Sequence, residues 1–452
     1  MYGQNEIFWG LGIEEETYFQ FSKPIHVATS IIRNNHKPER YSVDYYKQSF
    51  KPDYKNYFNE IFPDSRGFVP MPLFLNCHAL QRMDVQGNHQ TTYEKVPKPN
   101  PKFGGKTLFE ELQEYNPALF RDQFGKNFVF DGDTVEFMTL DFYKTSASST
   151  VRELIDYKQY FLGQINHFLE AKRYFLDKGS LIYPPVNPGW AVFCTNPQNI
   201  TMFNNGTYHI NITLPSLLGS KVGDEPAPLL HPELFKQQHK KAILMYQWIE
   251  PLLIATYGTS DPFSDTFPNF SKGSQRCAMS RYIGIGTYDT KKMAEGKILT
   301  LPIEQIEAAQ YPFWWYTRYH TTSAYKSLDK IGLDINYRKH YNHGIELRFF
   351  DWFDEKQLKD LIKFLVCLAD CALDKSEADE PIVSQTWNDL TLGVIEQGSA
   401  FVLTDAMMAT YEKLLGFRLS DIPQDAGTVY NMIVNHITTK YKKSPCAKAM
   451  LR

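Results

Sequence analysis

The stretch GLGIEEETYFQF, residues 10–21, sets three glutamates side by side among β-branched and aromatic residues. No 3.6-residue apolar stripe runs through it or through the preceding IFW, so extended backbone is the reading. Strand alternation then sorts the charges: Glu14 and Glu16 point to one face and Glu15 to the other. Two carboxylates stand roughly 7 Å apart along the chain, close enough to share a divalent cation. Gly10 and Gly12 fall on the same face, which predicts open space beside the carboxylates for a ligand or another backbone.

Three further segments repeat the pattern of one apolar and one polar face. In GTYHINITLP, residues 206–215, His209, Asn211 and Thr213 alternate with Tyr208, Ile210, Ile212 and Leu214. In HGIELRFFD, residues 343–351, Gly344, Glu346 and Arg348 alternate with Ile345, Leu347 and Phe349, and TVEFMT sets Glu136 between Val135 and Phe137. Each has a bland reading: a surface ion pair for Glu346 and Arg348, a hydrogen-bonded His209, a solvated Glu136. Together, four strands predict one concave, ionic sheet face backed by helices. Hard carboxylate oxygens with one imidazole suit Mg²⁺ or Mn²⁺ and suit zinc poorly. An arginine beside metal-binding carboxylates matches what a transferring phosphoryl group requires, so metal-assisted nucleotide use is the inferred chemistry.

The remaining chain agrees with a folded enzyme. Aromatic residues make up 15% of 452, a level that favours deep packing over disorder. A formal net charge of -3 offers no basic field for nucleic acid or an anionic membrane. No apolar run has membrane-spanning length and the first residues lack a secretory pattern, so the expectation is a cytoplasmic protein. Six cysteines without a CxxC framework read as reduced thiols, with Cys367 and Cys371 one helical turn apart.

The chain reads as a single large catalytic domain, with residues 23–125 as an inserted or elaborated region and 355–452 as a C-terminal helical part. Asp131-Gly132 and Asn205-Gly206 predict tight hairpins, the second joining TMFN to TYHINITL. Thr150 and Glu153 predict a capping box ahead of a helix whose buried stripe is Val151, Leu154, Lys158, Phe161, Ile165, Phe168 and Leu169. A helix from Pro232 should kink or break at Pro251 and end at Gly258. An amphipathic helix follows the last strand, and two more, near 405–415 and 425–442, complete the chain. Hairpins interleaved with helices give α+β, with an antiparallel sheet and helices packed behind it.

The segments GIEEE, VEFMT, YHINIT and GIELRFFD, in that order, resemble the signature strands of the carboxylate–amine ligases (amidoligases) related to glutamate–cysteine ligase. IEPLLIATYGTSDPF resembles that family's helix and following loop, and SQRCAMSRYIG its arginine segment. The matches run from residue 7 to about 353, and residues 23–125 match nothing in the family. The resemblance implies a curved antiparallel funnel of the glutamine-synthetase and guanidino-kinase type, holding two or more Mg²⁺ ions under ATP. It implies metal ligation by Glu14, Glu16, Glu136 and Glu346, a metal or phosphate contact for His209, and phosphate binding by Arg348. Arg276 and Arg281 are both candidates to meet the acyl phosphate or substrate carboxylate, with spacing favouring Arg276. Asn211, Thr213, Asp133 and Asp351 are taken as substrate- or nucleotide-binding positions, although DGD leaves Asp131 and Asp133 as alternatives. The implied reaction activates a carboxylate, glutamate or a glutamyl group, as an acyl phosphate that an amine displaces. The implied partners are small-molecule or peptide carboxylates and amines.

Three competing readings remain at this stage. NPKFGGKT, residues 100–107, resembles a Walker A loop but has Asn100 for the first glycine and no strand before it. Paired strand carboxylates would also serve a glycoside hydrolase, which works without ATP. A ligase-like scaffold that binds without catalysis is the third.

Overall fold

The computed structural model describes residues 7–28, 39–40, 67–75, 108–120, 127–131, 134–186, 190–194, 196–202, 206–220, 223, 227–260, 271–274, 276–277, 335–337, 342–381 and 384–452. Arg281, Asp133, the side chain of Asp131, the 100–107 loop and most of the 23–125 region lie outside the described residues.

Six strands form the main sheet: β1 (Ile7–Thr17), β2 (Phe128–Asp131), β3 (Thr134–Met138), β4 (Thr207–Leu217), β5 (Ile335–Tyr337) and β6 (Ile345–Asp351). Their order is β5-β6-β4-β1-β3-β2, every pair is antiparallel, and among the described residues the sheet does not close on itself. The four strands singled out by sequence are its contiguous centre, β6-β4-β1-β3.

Eight helices are described: α1 (Leu108–Tyr115), α2 (Ala147–Ala171), α3 (Pro232–Tyr257), α4 (Leu358–Asp374), α5 (Gln385–Gln397), α6 (Asp405–Leu415), α7 (Ala426–Tyr441) and α8 (Pro445–Met450). The expected stripe of α2, Lys158 included, is buried, and α2, α3, α4 and α8 pack against the sheet. One apolar core runs from Phe8 on β1 to Met450 on α8. Among the described residues, no helix is long and apolar enough to cross a membrane, and five of the cysteines are free thiols. The architecture is thus α+β.

Several local expectations are corrected. Among the described residues, the strands that Asn205-Gly206 should join are not paired: Asn196–Met202 pairs with Trp190–Phe193 in a second sheet, whereas β4 enters the main one. Gly206 instead has a positive φ and passes so close to the Glu16 carbonyl that a Cβ would sit 1.9 Å from it. That second sheet also contains two parallel pairs, Leu73–Leu75 with Trp190–Phe193 and Glu39–Arg40 with Asn196–Met202, so not all of the sheet structure is antiparallel.

Helix α2 starts before the expected capping box. Ser146 is its N-cap, accepting from the Ser149 amide, while Glu153 accepts from the Leu140 amide at 2.6 Å and so ties down the preceding loop. Helix α3 runs through Pro251 without interruption. Helices α5 and α8 had no counterpart in the expected set.

Candidate functional site

Strand register brings the ionic residues together. Along one cross-strand row Glu136 pairs with Glu16, Glu16 with Thr207 and Thr207 with Asp351. The next row sets Glu14 beside His209, and a third runs Gly12, Asn211, Glu346. Between β4 and β6 the register carries a bulge: Tyr208 pairs with Phe350 and Ile210 with Leu347, so His209 faces both Arg348 and Phe349. A bulge adds a residue on one strand and re-aims the side chains that follow. It returns Asp351 to the row of Glu16, where simple alternation from Glu346 would have put it on the opposite face.

His209, only 2% exposed, is the hub. Its Nδ1–H donates to Glu14 Oε2 at 3.1 Å, its Nε2 lies 3.6 Å from Glu16 Oε1, and Nδ1 stands 3.9 Å from Glu346 Oε1. Asn211 Nδ2 donates to the other Glu14 oxygen at 3.1 Å, so Asn211 orients a carboxylate. Arg348 Nη1 donates to Glu346 Oε1 at 3.2 Å, and with Glu346 2% exposed this is no surface ion pair. One ligand-type atom each from Glu14, Glu136 and His209 lies within 4.8 Å of the others, a grouping able to hold a metal ion. Among the described residues, the carboxylates of Glu14, Glu16, Glu136 and Glu346 and the guanidinium of Arg348 share this face with His209.

Glu15 answers for the third glutamate. It is fully buried on the helix side, 2.7 Å from Lys158 Nζ of α2, and Lys158 also reaches Glu355 at 3.0 Å. Burial penalises the Lys158 ammonium, but Glu15 and Glu355 outweigh it and hold its pKa above the ordinary value. On the same partner, burial pushes the Glu15 carboxyl up while Lys158 opposes the shift. With the lysine charged and two carboxylates within 3.0 Å, the ion pair is the state that the geometry supports.

Gly10, Gly12, Thr213 and Asp351 do other work than expected. The space beside Gly10 and Gly12 is filled by the Phe142 ring, whose atoms would lie 2.1 and 2.4 Å from added Cβ atoms. Phe142 in turn stacks on His343 with centroids 4.5 Å apart, an aromatic wall that nothing in the sequence spacing announced. Thr213 is buried and its hydroxyl accepts the Gly344 amide at 2.9 Å, joining β4 to the start of β6. Asp351 is 1% exposed; its carboxylate accepts the amides of Arg276 (2.9 Å) and Thr259 (3.2 Å) and the Ser274 hydroxyl. Burial pushes its pKa to about 6 against these hydrogen bonds. Arg276, half-buried, has helical backbone and is anchored through its amide to Asp351 at the end of β6.

No family model matches this chain. Over 450 residues, 99% of this chain and 78% of the relative, it is 38% identical to the uncharacterized protein R704 of Acanthamoeba polyphaga mimivirus. Identity of that extent across nearly the whole length is a family relationship, and the chain belongs to the family of the mimivirus protein R704.

Proposed function

We propose that the chain is an ATP- and magnesium-dependent ligase that joins a carboxylate to an amine through an acyl phosphate, with glutamate or a glutamyl group as the acid. The observation that carries this reading is the convergence of Glu14, Glu16, Glu136, His209, Glu346 and Arg348 from four adjacent strands onto one face of an open antiparallel sheet. In this reading the main sheet is the wall of a glutamine-synthetase-type funnel.

The donor set fits the metal. Glu14, Glu136 and His209 offer two carboxylate oxygens and one imidazole nitrogen within 4.8 Å of one another, donors of the kind that Mg²⁺ and Mn²⁺ would accept. Glu14, Glu136 and His209 would hold one ion, with Glu16 and Glu346 as neighbouring donors, and the imidazole leaves room for Mn²⁺. When bound, the metal would neutralise phosphate oxygens and lower the cost of charge moving between them.

The protein's own groups supply the rest. Asn211 and His209 fix Glu14 from both oxygens, which holds the acidic face in one geometry before substrate arrives. Arg348, steadied by Glu346, offers planar donors to negative charge developing on a transferring phosphoryl group. Arg276, on a separate segment bound to the end of that strand, would supply a second cation for an acyl phosphate or substrate carboxylate. Holding acid and amine side by side would provide most of the remaining rate.

The test is phosphate release from Mg·ATP across a panel of amino acids and amines. The parent should release phosphate with at least one acceptor, and Glu346→Ala, verified as folded, should lose about 100-fold or more. Activity untouched by that substitution would remove the proposed site. A thermal shift with Mg²⁺ and a non-hydrolysable ATP analogue should accompany activity, since a ligand binding only the folded state raises its melting temperature.

A further inference from the structure

Asp351 makes no hydrogen bond toward the metal-type ligands, yet its row in the sheet is that of Glu16 and Glu136. Its hydrogen bonds reach instead to Thr259, just past the end of α3, and to Ser274 and Arg276. Ser274 is the centre of that contact: its hydroxyl donates to Asp351 and accepts the Cys277 amide at 3.0 Å, closing a turn around Arg276. Cys277 is fully buried and its thiol reaches the Phe349 carbonyl at 3.4 Å. The Thr259 hydroxyl donates to the Trp352 carbonyl at 2.5 Å, adding a second tie to the strand end. On its other side the segment is pinned to the last turn of α5, where Ser271 Oγ donates to the Ile395 carbonyl at 2.7 Å and the Gly273 amide to the same carbonyl at 3.0 Å.

A buried carboxylate that accepts two backbone amides and a hydroxyl is a rigid clamp, because each donor loses its partner if the segment moves. We infer that Asp351 is a positioning residue, tying the segment that carries Arg276 to the end of the strand that carries Glu346 and Arg348. Both arginines are thereby fixed to one strand, through the bulge that also seats His209. What Arg276 does with this placement rests on the ligase reading; the clamp itself does not.

Alkylation of Cys277, followed by peptide mass spectrometry at pH 7.5 in the full chain, reads the clamp without reference to activity. Asp351→Ala removes all three acceptor contacts, and Asp351→Asn keeps shape and one acceptor oxygen. Cys277 should be labelled at least about tenfold faster in Asp351→Ala and by an intermediate factor in Asp351→Asn, while buried Cys367, Cys371 and Cys446 stay as slow as in the parent. Unchanged Cys277 labelling, or an equal rise at all four thiols in both variants, overturns the proposal.

Activity separates positioning from mere support. Asp351→Asn should lower kcat for phosphate release about tenfold or more with KM for Mg·ATP within about twofold, since a small displacement of a catalytic group costs rate before it costs nucleotide binding. A rise in KM with kcat unchanged would overturn the role assigned. If the parent itself releases no phosphate with any acceptor, the ligase reading fails, and selective Cys277 labelling still decides for or against the clamp.

Discussion

At the scale of single residues, the three adjacent glutamates have two jobs. Glu14 and Glu16 face the polar basin, and Glu15 neutralises a lysine inside the sheet–helix interface. Lys158→Met should destabilise the fold by about 3–5 kcal/mol, because Glu15 is left buried and uncompensated. Adding Glu15→Gln should recover most of that loss, and a urea titration of the two variants measures both. Asp351 predicts a pH effect of definite sign. Its folded pKa of about 6 lies above the ordinary value of 3.8, so the folded state holds the proton more tightly. Its contribution therefore favours folding at low pH and is lost as pH rises through about 6, by about 3 kcal/mol in all. The melting temperature of Asp351→Asn relative to the parent should accordingly be higher at pH 7.5 than at pH 4.5. A difference that stays flat across that window would contradict the shift.

At the scale of elements, α3 shows how packing overrides a local rule. Pro251 has no amide to give the Gln247 carbonyl four residues back, which costs a free helix about 3 kcal/mol. In the fold that carbonyl accepts from Trp387 Nε1 of α5 at 2.7 Å, and the next, Trp248, accepts from the Tyr411 hydroxyl of α6 at 2.6 Å. Trp387 thus supplies the one donor that the proline withholds, and Tyr411 adds a bond to the neighbouring carbonyl. Trp387→Phe should therefore cost about 1–3 kcal/mol in the parent and distinctly less in a Pro251→Ala background, where the restored amide can take over. Equal costs in both backgrounds would show the two to be uncoupled. Strand β1 and the stripes of α2 and α4 were legible in the sequence because burial on one face imposes a period of 2 or 3.6. The start of α2 was not, since Ser146 and Thr150 are equally good capping residues and only the loop held by Glu153 selects between them.

At the scale of the whole molecule, residues more than 330 positions apart, Glu14 and Glu346, meet around one imidazole. Carboxylates gathered this closely repel one another, a common trade between stability and function. In EDTA, Glu16→Gln should melt above the parent, and it should gain less from added Mg²⁺. If instead the variant melts lower and responds fully to Mg²⁺, the carboxylate belongs to the scaffold and not to the basin.

The sequence by itself determined which strands carry charge and which side of each strand carries it, because alternation is a property of the extended chain. It therefore held the residues of the basin: Glu14, Glu16, Glu136, His209, Glu346 and Arg348. Only the tertiary structure decided the order β6-β4-β1-β3, the bulge that returns Asp351 to the row of Glu16, and the Phe142 ring that fills the glycine notch. It also separated β4 from the strand before it, which turn chemistry alone would have paired. Each of these depends on which distant segments compete for the same surface, and that competition is settled by packing over the whole chain and not by the local preferences of any stretch.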